Sequence, residues 1–153
     1  MMIETLKEIF NRDLKKLKFE IESYQNEDKI WYIEKEIANS AGNLCLHLIG
    51  NLNTYIGAQI GNTNYIRNRE LEFSNKNVPK SALIIQIEET IQTINNSLNL
   101  MNDEDLKKEH SFSVFESKTS KGFLLTHLTT HLAYHLGQIN YHRRLLDDKT
   151  GNG

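Results

Sequence analysis

Cysteine, proline and glycine are scarce in this chain of 153 residues, and neither sign of charge dominates. The single cysteine excludes an internal disulfide framework, which fits a reducing compartment. A net charge of -2 provides no general attraction to nucleic acid, so no nucleic-acid partner is expected. No run approaches the roughly eighteen apolar residues of a membrane span, and the N-terminal residues mix charges at once, unlike a secretory signal. The sequence therefore predicts a soluble, cytoplasmic protein without a membrane partner.

The length and composition indicate one folded domain. With 39% hydrophobic and 25% charged residues, the chain is typical of globular proteins, and disorder is excluded. A chain of this length buries roughly two thirds of its unfolded surface. We assign residues 1–148 to the domain and residues 149–153 to a short polar C-terminal tail.

Apolar side chains recur at steps of three and four along four segments, the spacing of one helical face. The first helix is predicted from Ile3 to about Tyr24, with a stripe of Ile3, Leu6, Phe10, Leu14, Leu17 and Ile21. The second helix is predicted from Ser40, a good N-cap residue, to Ile60, with Gly61 just after its end. The third helix is predicted from Pro79 to about Leu98, and the fourth from Thr119 or Ser120 to about Asp147. The predicted fold is an all-α, four-helix bundle.

Three connections separate these helices. Residues 25–39 are predicted as a loop or short irregular helix that contributes Trp31 and Ile33 to the core. Residues 61–79 and 102–119 are predicted as two long irregular connections, the second with a short extended piece at 111–115. Long connections without regular structure are uncommon and are often functional.

The C-terminal helix carries the chemically informative pattern, because His127, His131 and His135 fall in one narrow stripe. Histidines at i and i+4 can direct two ring nitrogens to one metal ion. A third ligand must come from another helix, and His47 is the obvious supplier. Zinc held by three histidines keeps an open position for water or substrate, and nickel, cobalt or iron also accept imidazole. Spacing alone is compatible both with metal binding and with simple packing of these histidines.

The other polar residues have ordinary interpretations beside functional ones. Asn51 lies one turn after His47, and Gln138 lies in the histidine stripe, so both are candidates for hydrogen bonds at the site. We predict that Cys45 is a buried structural thiol, that His110 lies in a loop, and that His142 lies at the surface or a helix end. The tyrosines are predicted to pack or to line a pocket: Tyr55, Tyr134 and Tyr141. Arg67 and Arg69 are predicted to be exposed cations, although they could instead bind an anionic substrate.

The order of these motifs resembles that in the DinB/YfiT-like superfamily of metal-binding four-helix bundles. The resemblance is strongest to a bacterial branch of about 150 residues without assigned function. The segments that carry the resemblance are His47-Leu48-Ile49-Gly50-Asn51-Leu52 and His131-Leu132-Ala133-Tyr134-His135-Leu136-Gly137-Gln138-Ile139, supported by Ser40-Ala41-Gly42-Asn43-Leu44 and Asn77-Val78-Pro79. Relatives often have arginine between the last histidine and Gly-Gln, where this chain has Leu136. That departure affects expected substrate contacts, not the histidines.

The resemblance implies that His47, His131 and His135 bind one divalent metal ion, zinc or nickel. His127 matches a histidine that is common in relatives and is not usually a direct ligand. Characterised members include S-transferases and isomerases that use thiols such as bacillithiol or mycothiol, and many are homodimers. The resemblance therefore implies transfer of a low-molecular-weight thiol to an electrophilic small molecule.

Two alternatives use the same residues differently. The three-histidine site could activate water in a metal-dependent hydrolase. The chain could instead be a non-catalytic, stress-related dimeric bundle with a structural metal, or none, and His127 as a fourth ligand. An open three-histidine site is preferred, because His127 and His135 are eight residues, roughly 12 Å, apart along the helix axis.

Overall fold

The computed structural model describes residues 1–110 and 117–147, and within them the regular structure is helical. The five α-helices are α1 (Met2–Glu22), α2 (Ala41–Leu52), α3 (Arg69–Ser74), α4 (Lys80–Leu98) and α5 (Lys121–Leu146). Short 3-10 helices span Glu27–Trp31 and Asp103–Lys107, and a π-helical segment at Asn53–Ala58 continues α2. Within the described ranges no β-strand is present, only an isolated bridge between Glu109 and Ser120. The all-α class is confirmed.

The four long helices pack around one hydrophobic core. Helix α1 contacts α4 and α5, and α2 contacts the same two helices from the other side. The six apolar residues predicted for the α1 stripe are all buried. In the part of the chain that the structure describes, no helix is both long and apolar enough to cross a membrane.

Side-chain caps set two of the helix starts where the sequence predicts them. The Ser40 hydroxyl accepts a hydrogen bond from the Asn43 backbone N–H at 3.1 Å, and Ser120 accepts one from the Phe123 N–H at 3.0 Å. Each bond satisfies an N–H that has no partner within its helix. Pro79 directly precedes α4, where its missing N–H costs nothing.

The connections depart from the predictions in two places. Trp31 is buried as expected, but Ile33 is 46% exposed, because the chain leaves the 3-10 helix in extended conformation at Tyr32 and turns away from the core. Residues 61–79 contain α3, a helix of six residues that is too short to show a periodic apolar pattern. The extended piece predicted at 111–115 and the tail at 149–153 lie outside the described residues.

Two glycines provide a matched test of core packing. A Cβ at Gly42 would lie 2.6 Å from ring carbons of Trp31, whereas a Cβ at Gly137 in α5 meets nothing within 4 Å. We expect Gly42→Ala to destabilise the protein by about 1–3 kcal/mol through overpacking. We expect Gly137→Ala to stabilise it by about 0.5–1 kcal/mol, because alanine favours the helix. Urea unfolding of both variants measures the difference, and equal effects would contradict this packing of Trp31 on α2.

His142 was predicted at the surface or helix end, and the surface assignment is wrong. Its side chain is 5% exposed, because α5 packs against α1 and the 3-10 helix at this position. Its Nδ1 is 2.7 Å from the Tyr24 hydroxyl, and its Nε2 is 2.9 Å from the Tyr32 carbonyl oxygen. Since a carbonyl only accepts, Nε2 donates, and in the neutral ring Nδ1 accepts from Tyr24.

This burial makes stability depend on pH. Burial lowers the pKa of His142 below the ordinary histidine value of 6.5, although the bond to the Tyr32 carbonyl opposes the shift. The unfolded chain therefore binds more protons below pH 6.5, so the stabilisation present above that pH is lost as pH falls through the folded-state pKa. We expect His142→Gln to be about 1–3 kcal/mol less stable than wild type at pH 7.5, because Tyr24 loses its acceptor. The difference should shrink with acidification. Urea unfolding from pH 7.5 to 4.5 tests this, and a constant difference would contradict it.

Candidate metal centre

Helices α2 and α5 bring His47, His131 and His135 together at their interface. The Nε2 atom of His131 is 3.2 Å from Nε2 of His47 and 3.2 Å from Nε2 of His135. One ligand atom from each residue lies within 4.8 Å of the other two. The i, i+4 spacing on α5 supplies two of the imidazoles, and α2 presents the third from across the core.

Hydrogen bonds on the outer nitrogens fix how two of these rings are protonated. His47 Nδ1 is 3.1 Å from Glu72 Oε1, and His135 Nδ1 is 2.7 Å from Gln138 Oε1. Both oxygens are acceptors, so each Nδ1 carries the proton. The neutral rings therefore direct Nε2 lone pairs inward.

Lone pairs on neighbouring Nε2 atoms repel one another, whereas a cation placed between them can bind all three. A proton on Nε2 of His131 can serve only one of the two neighbouring lone pairs at a time. The His131 Nδ1 is buried without a hydrogen-bond partner in the described structure. Two nitrogens bound tetrahedrally to zinc lie roughly 3.3 Å apart, close to the 3.2 Å observed here. The three residues therefore form a group that could hold a metal ion.

Burial keeps the imidazoles of His47 and His131 neutral at physiological pH. Burial, reinforced by the neighbouring histidines, lowers the pKa of His131 to about 4. Burial also lowers the pKa of His47, although Glu72 acts in the opposite direction. Since only neutral imidazole binds metal, these shifts leave both rings ready to act as ligands.

Glu72 is a site residue that the sequence prediction missed. Its carboxylate is 6% exposed and receives two hydrogen bonds from Arg67, at 2.8 Å and 3.0 Å, in addition to contacting His47. Arg67 is thus largely buried in an ion pair, which corrects the expectation that it is exposed and solvated. Glu72 and Arg67 together carry no net charge, and they lie on the Nδ1 side of the His47 imidazole.

Two residues of α2 make room for Glu72 and hold α3 in place. Any side chain at Gly50 would collide with the Glu72 carboxylate. The Asn43 side-chain amide donates to the carbonyl oxygens of Glu72 and Asn75, both at 2.9 Å. The only sequence signal for this arrangement is the Asn68 cap, whose side chain accepts from the Leu71 N–H.

The other residues named from the sequence lie around this centre. Gln138 contacts His135 as described, and Asn51 is buried with no partner for its Oδ1 among the described residues. His127 is outside the ligand group, with its ring centroid 6.4 Å from that of His131. Cys45 is buried, as predicted, and burial raises the pKa of its thiol to about 12.

Three tyrosines and one arginine complete the predicted set. Tyr55 is partly buried against the core, whereas Tyr134 and Tyr141 are 67% and 63% exposed. The Tyr134 ring contacts that of His135 at 5.5 Å between centroids, and Tyr141 lines a cleft. Arg69 is exposed, as expected, and lies over the Phe73 ring at 5.5 Å.

An open cleft adjoins the histidine group at His135. Its volume is about 520 Å³. One wall consists of residues 36–39 and Leu44, and the other consists of α5 side chains from His135 to Leu145. A small molecule in this cleft would contact one of the three candidate ligands directly.

The fold and the site define an all-helical protein with three converging imidazoles beside an open cleft. The family model described as "Protein of unknown function (DUF1572)" matches residues 2–151, and the chain belongs to this family. No curated protein sequence matches the chain.

Proposed function

We propose that this protein is a metal-dependent enzyme that transfers a low-molecular-weight thiol to an electrophilic small molecule. The observation that carries the proposal is the convergence of three Nε2 atoms, one of them on a ring that lines an open cleft. Three histidine ligands with a further position left open are typical of catalytic metal sites. The resemblance to DinB/YfiT-like proteins supports the choice of thiol transfer among the reactions that such a site can perform.

Each residue of the centre has a defined part in this proposal. His47, His131 and His135 would hold zinc or nickel, and Glu72 and Gln138 keep the proton on the outer nitrogen of their partner rings. A divalent ion bound there lowers the pKa of a thiol or water, making it nucleophilic near neutral pH. Asn51 is the candidate for a hydrogen bond to a reactant, because its buried Oδ1 lacks a partner in the described structure.

The reaction balances without an added oxidant or reductant. The sulfur of a thiol such as bacillithiol forms a bond to the electrophilic carbon, and the leaving group departs with the electron pair of the broken bond. The thiol proton passes to solvent. The protein's contribution is to position the two reactants and to stabilise the thiolate form.

Elemental analysis of tag-free protein followed by paired assays tests the proposal. We expect about one divalent ion per chain in the wild type and none in His47→Ala. Conjugation of bacillithiol to 1-chloro-2,4-dinitrobenzene should stop on chelation and return with zinc or nickel. Hydrolysis of 4-nitrophenyl acetate by the same samples, without thiol conjugation, would support a hydrolase instead. Wild type that stays metal-free after incubation with both ions would overturn the proposal and favour a non-catalytic bundle.

We also propose that the protein is a cytoplasmic homodimer. The resemblance supports the dimer, as do large apolar side chains exposed on α1 and α5 outside the cleft, among them Phe19 and Tyr134. The single, buried cysteine supports a reducing compartment. Light scattering after size-exclusion chromatography measures the mass, and a value near 17.8 kDa would contradict the dimer.

A further inference from the structure

The cleft beside His135 is apolar and has little charge. Ile37, Leu44, Tyr141 and Leu145 line it together with the uncharged amides of Asn39 and Gln138, and Glu36 is the one charged lining residue in the described part of the chain. His142 also lines it, but both ring nitrogens are engaged by Tyr24 and Tyr32.

Two arginines of α5 near the cleft have contacts of their own. Arg143 donates to the Glu20 carboxylate at 2.7 Å, and Arg144 lies over the Tyr141 ring, 5.2 Å from its centroid. Within residues 1–110 and 117–147, no lysine or arginine lines the cleft. An anion placed there would lose hydration without meeting a cationic side chain, and it would also face Glu36.

From this lining we infer that the cleft binds an uncharged, largely apolar small molecule and disfavours anionic ones. Its volume of about 520 Å³ lies within the usual range for small-molecule sites. From His135 to Leu145 the cleft follows ten residues of α5, roughly 15 Å, so an elongated molecule fits with one end against His135. This inference rests on the proposed function, in which that molecule is the electrophile and not the anionic thiol.

Two fluorescent probes with the same aromatic framework test this selectivity. N-phenyl-1-naphthylamine is uncharged, whereas 8-anilino-1-naphthalenesulfonate carries a sulfonate. We expect the uncharged probe to bind at least about tenfold more tightly, which corresponds to about 1.4 kcal/mol. The uncharged 1-chloro-2,4-dinitrobenzene should displace it, and bacillithiol should not. Equal binding of both probes, or displacement by bacillithiol, would overturn the inference.

Variants locate the binding to this cleft. Ile37→Asp places a charge on the cleft wall, and we expect it to weaken binding of the uncharged probe about tenfold or more. Ile85→Asp is the matched control, because Ile85 is also an exposed isoleucine but lies on α4 outside the cleft. Equal effects of the two variants, with circular dichroism showing both folded, would overturn the assignment. Metal content of the same samples is measured separately, so loss of the metal centre and loss of the cleft assignment give different results.

Discussion

Replacement of His131 by alanine is expected to lower the zinc affinity of the protein roughly a thousandfold. His131 is the central member of the group, because its Nε2 is 3.2 Å from Nε2 of both other histidines. Zinc sites in small proteins contribute about 10–16 kcal/mol. Losing one of three protein ligands should therefore cost about 4 kcal/mol, which is roughly a thousandfold in affinity.

His127→Ala is the matched control for this experiment. His127 lies one turn earlier on α5, is exposed, and falls outside the ligand group. Competition with a chromophoric chelator gives the zinc affinity of each protein, and we expect His127→Ala to stay close to wild type. A comparable loss in both variants would show that His127 also binds the ion and would contradict the ligand group of His47, His131 and His135. No loss in either would show that zinc binds elsewhere.

Replacement of Glu72 by alanine is expected to weaken both the fold and the metal centre. The carboxylate is buried and pairs with Arg67, whose side chain is 15% exposed. Removing one partner of such a pair leaves a buried charge uncompensated, which typically costs about 3–5 kcal/mol. The His47 ring also loses the acceptor that fixes its proton on Nδ1, a change that typically weakens metal binding about 10–100-fold.

The two effects are measured separately and share one control. Urea unfolding of metal-free protein reports the stability loss, and chelator competition reports the affinity. Glu70→Ala removes an exposed carboxylate from the same short helix and should change neither quantity appreciably. Glu72→Ala behaving like Glu70→Ala in both measurements would refute the coupling of α3 to His47. A stability loss with unchanged affinity would limit Glu72 to a structural role.

The sequence predicts well those features that depend on one helix alone. The stripe of α1 and the shared face of His131 and His135 follow from the helical period, since residues three and four apart lie on one side of a helix. His47 joins them because of the way α2 packs against α5, and helical periodicity does not determine how two helices pack. His47 is the obvious supplier of a third imidazole, the resemblance implies the same three ligands, and the structure brings them together.

The missed features all depend on contacts between segments. Whether Ile33 and His142 are buried is decided by the elements packed against them, not by their own neighbours in sequence. Glu72 and Arg67 lie in a polar segment that would ordinarily be assigned to solvent. Their burial requires the segment to fold back over α2 at Gly50, and a single glycine in an apolar helix gives little warning of that.

The way α3 is attached to α2 has a consequence for how tightly the centre binds metal. Helix α3 is one and a half turns long, and Glu72 is its one buried residue. Its docking therefore depends on a few contacts, namely the polar ones of Glu72 and the ring of Phe73 against His47, and short segments held in this manner open locally without global unfolding. Each opening removes the acceptor from His47. The measured affinity is then the affinity of the assembled site multiplied by the fraction of molecules in which α3 is docked. Bound metal should accordingly slow amide exchange across residues 69–74.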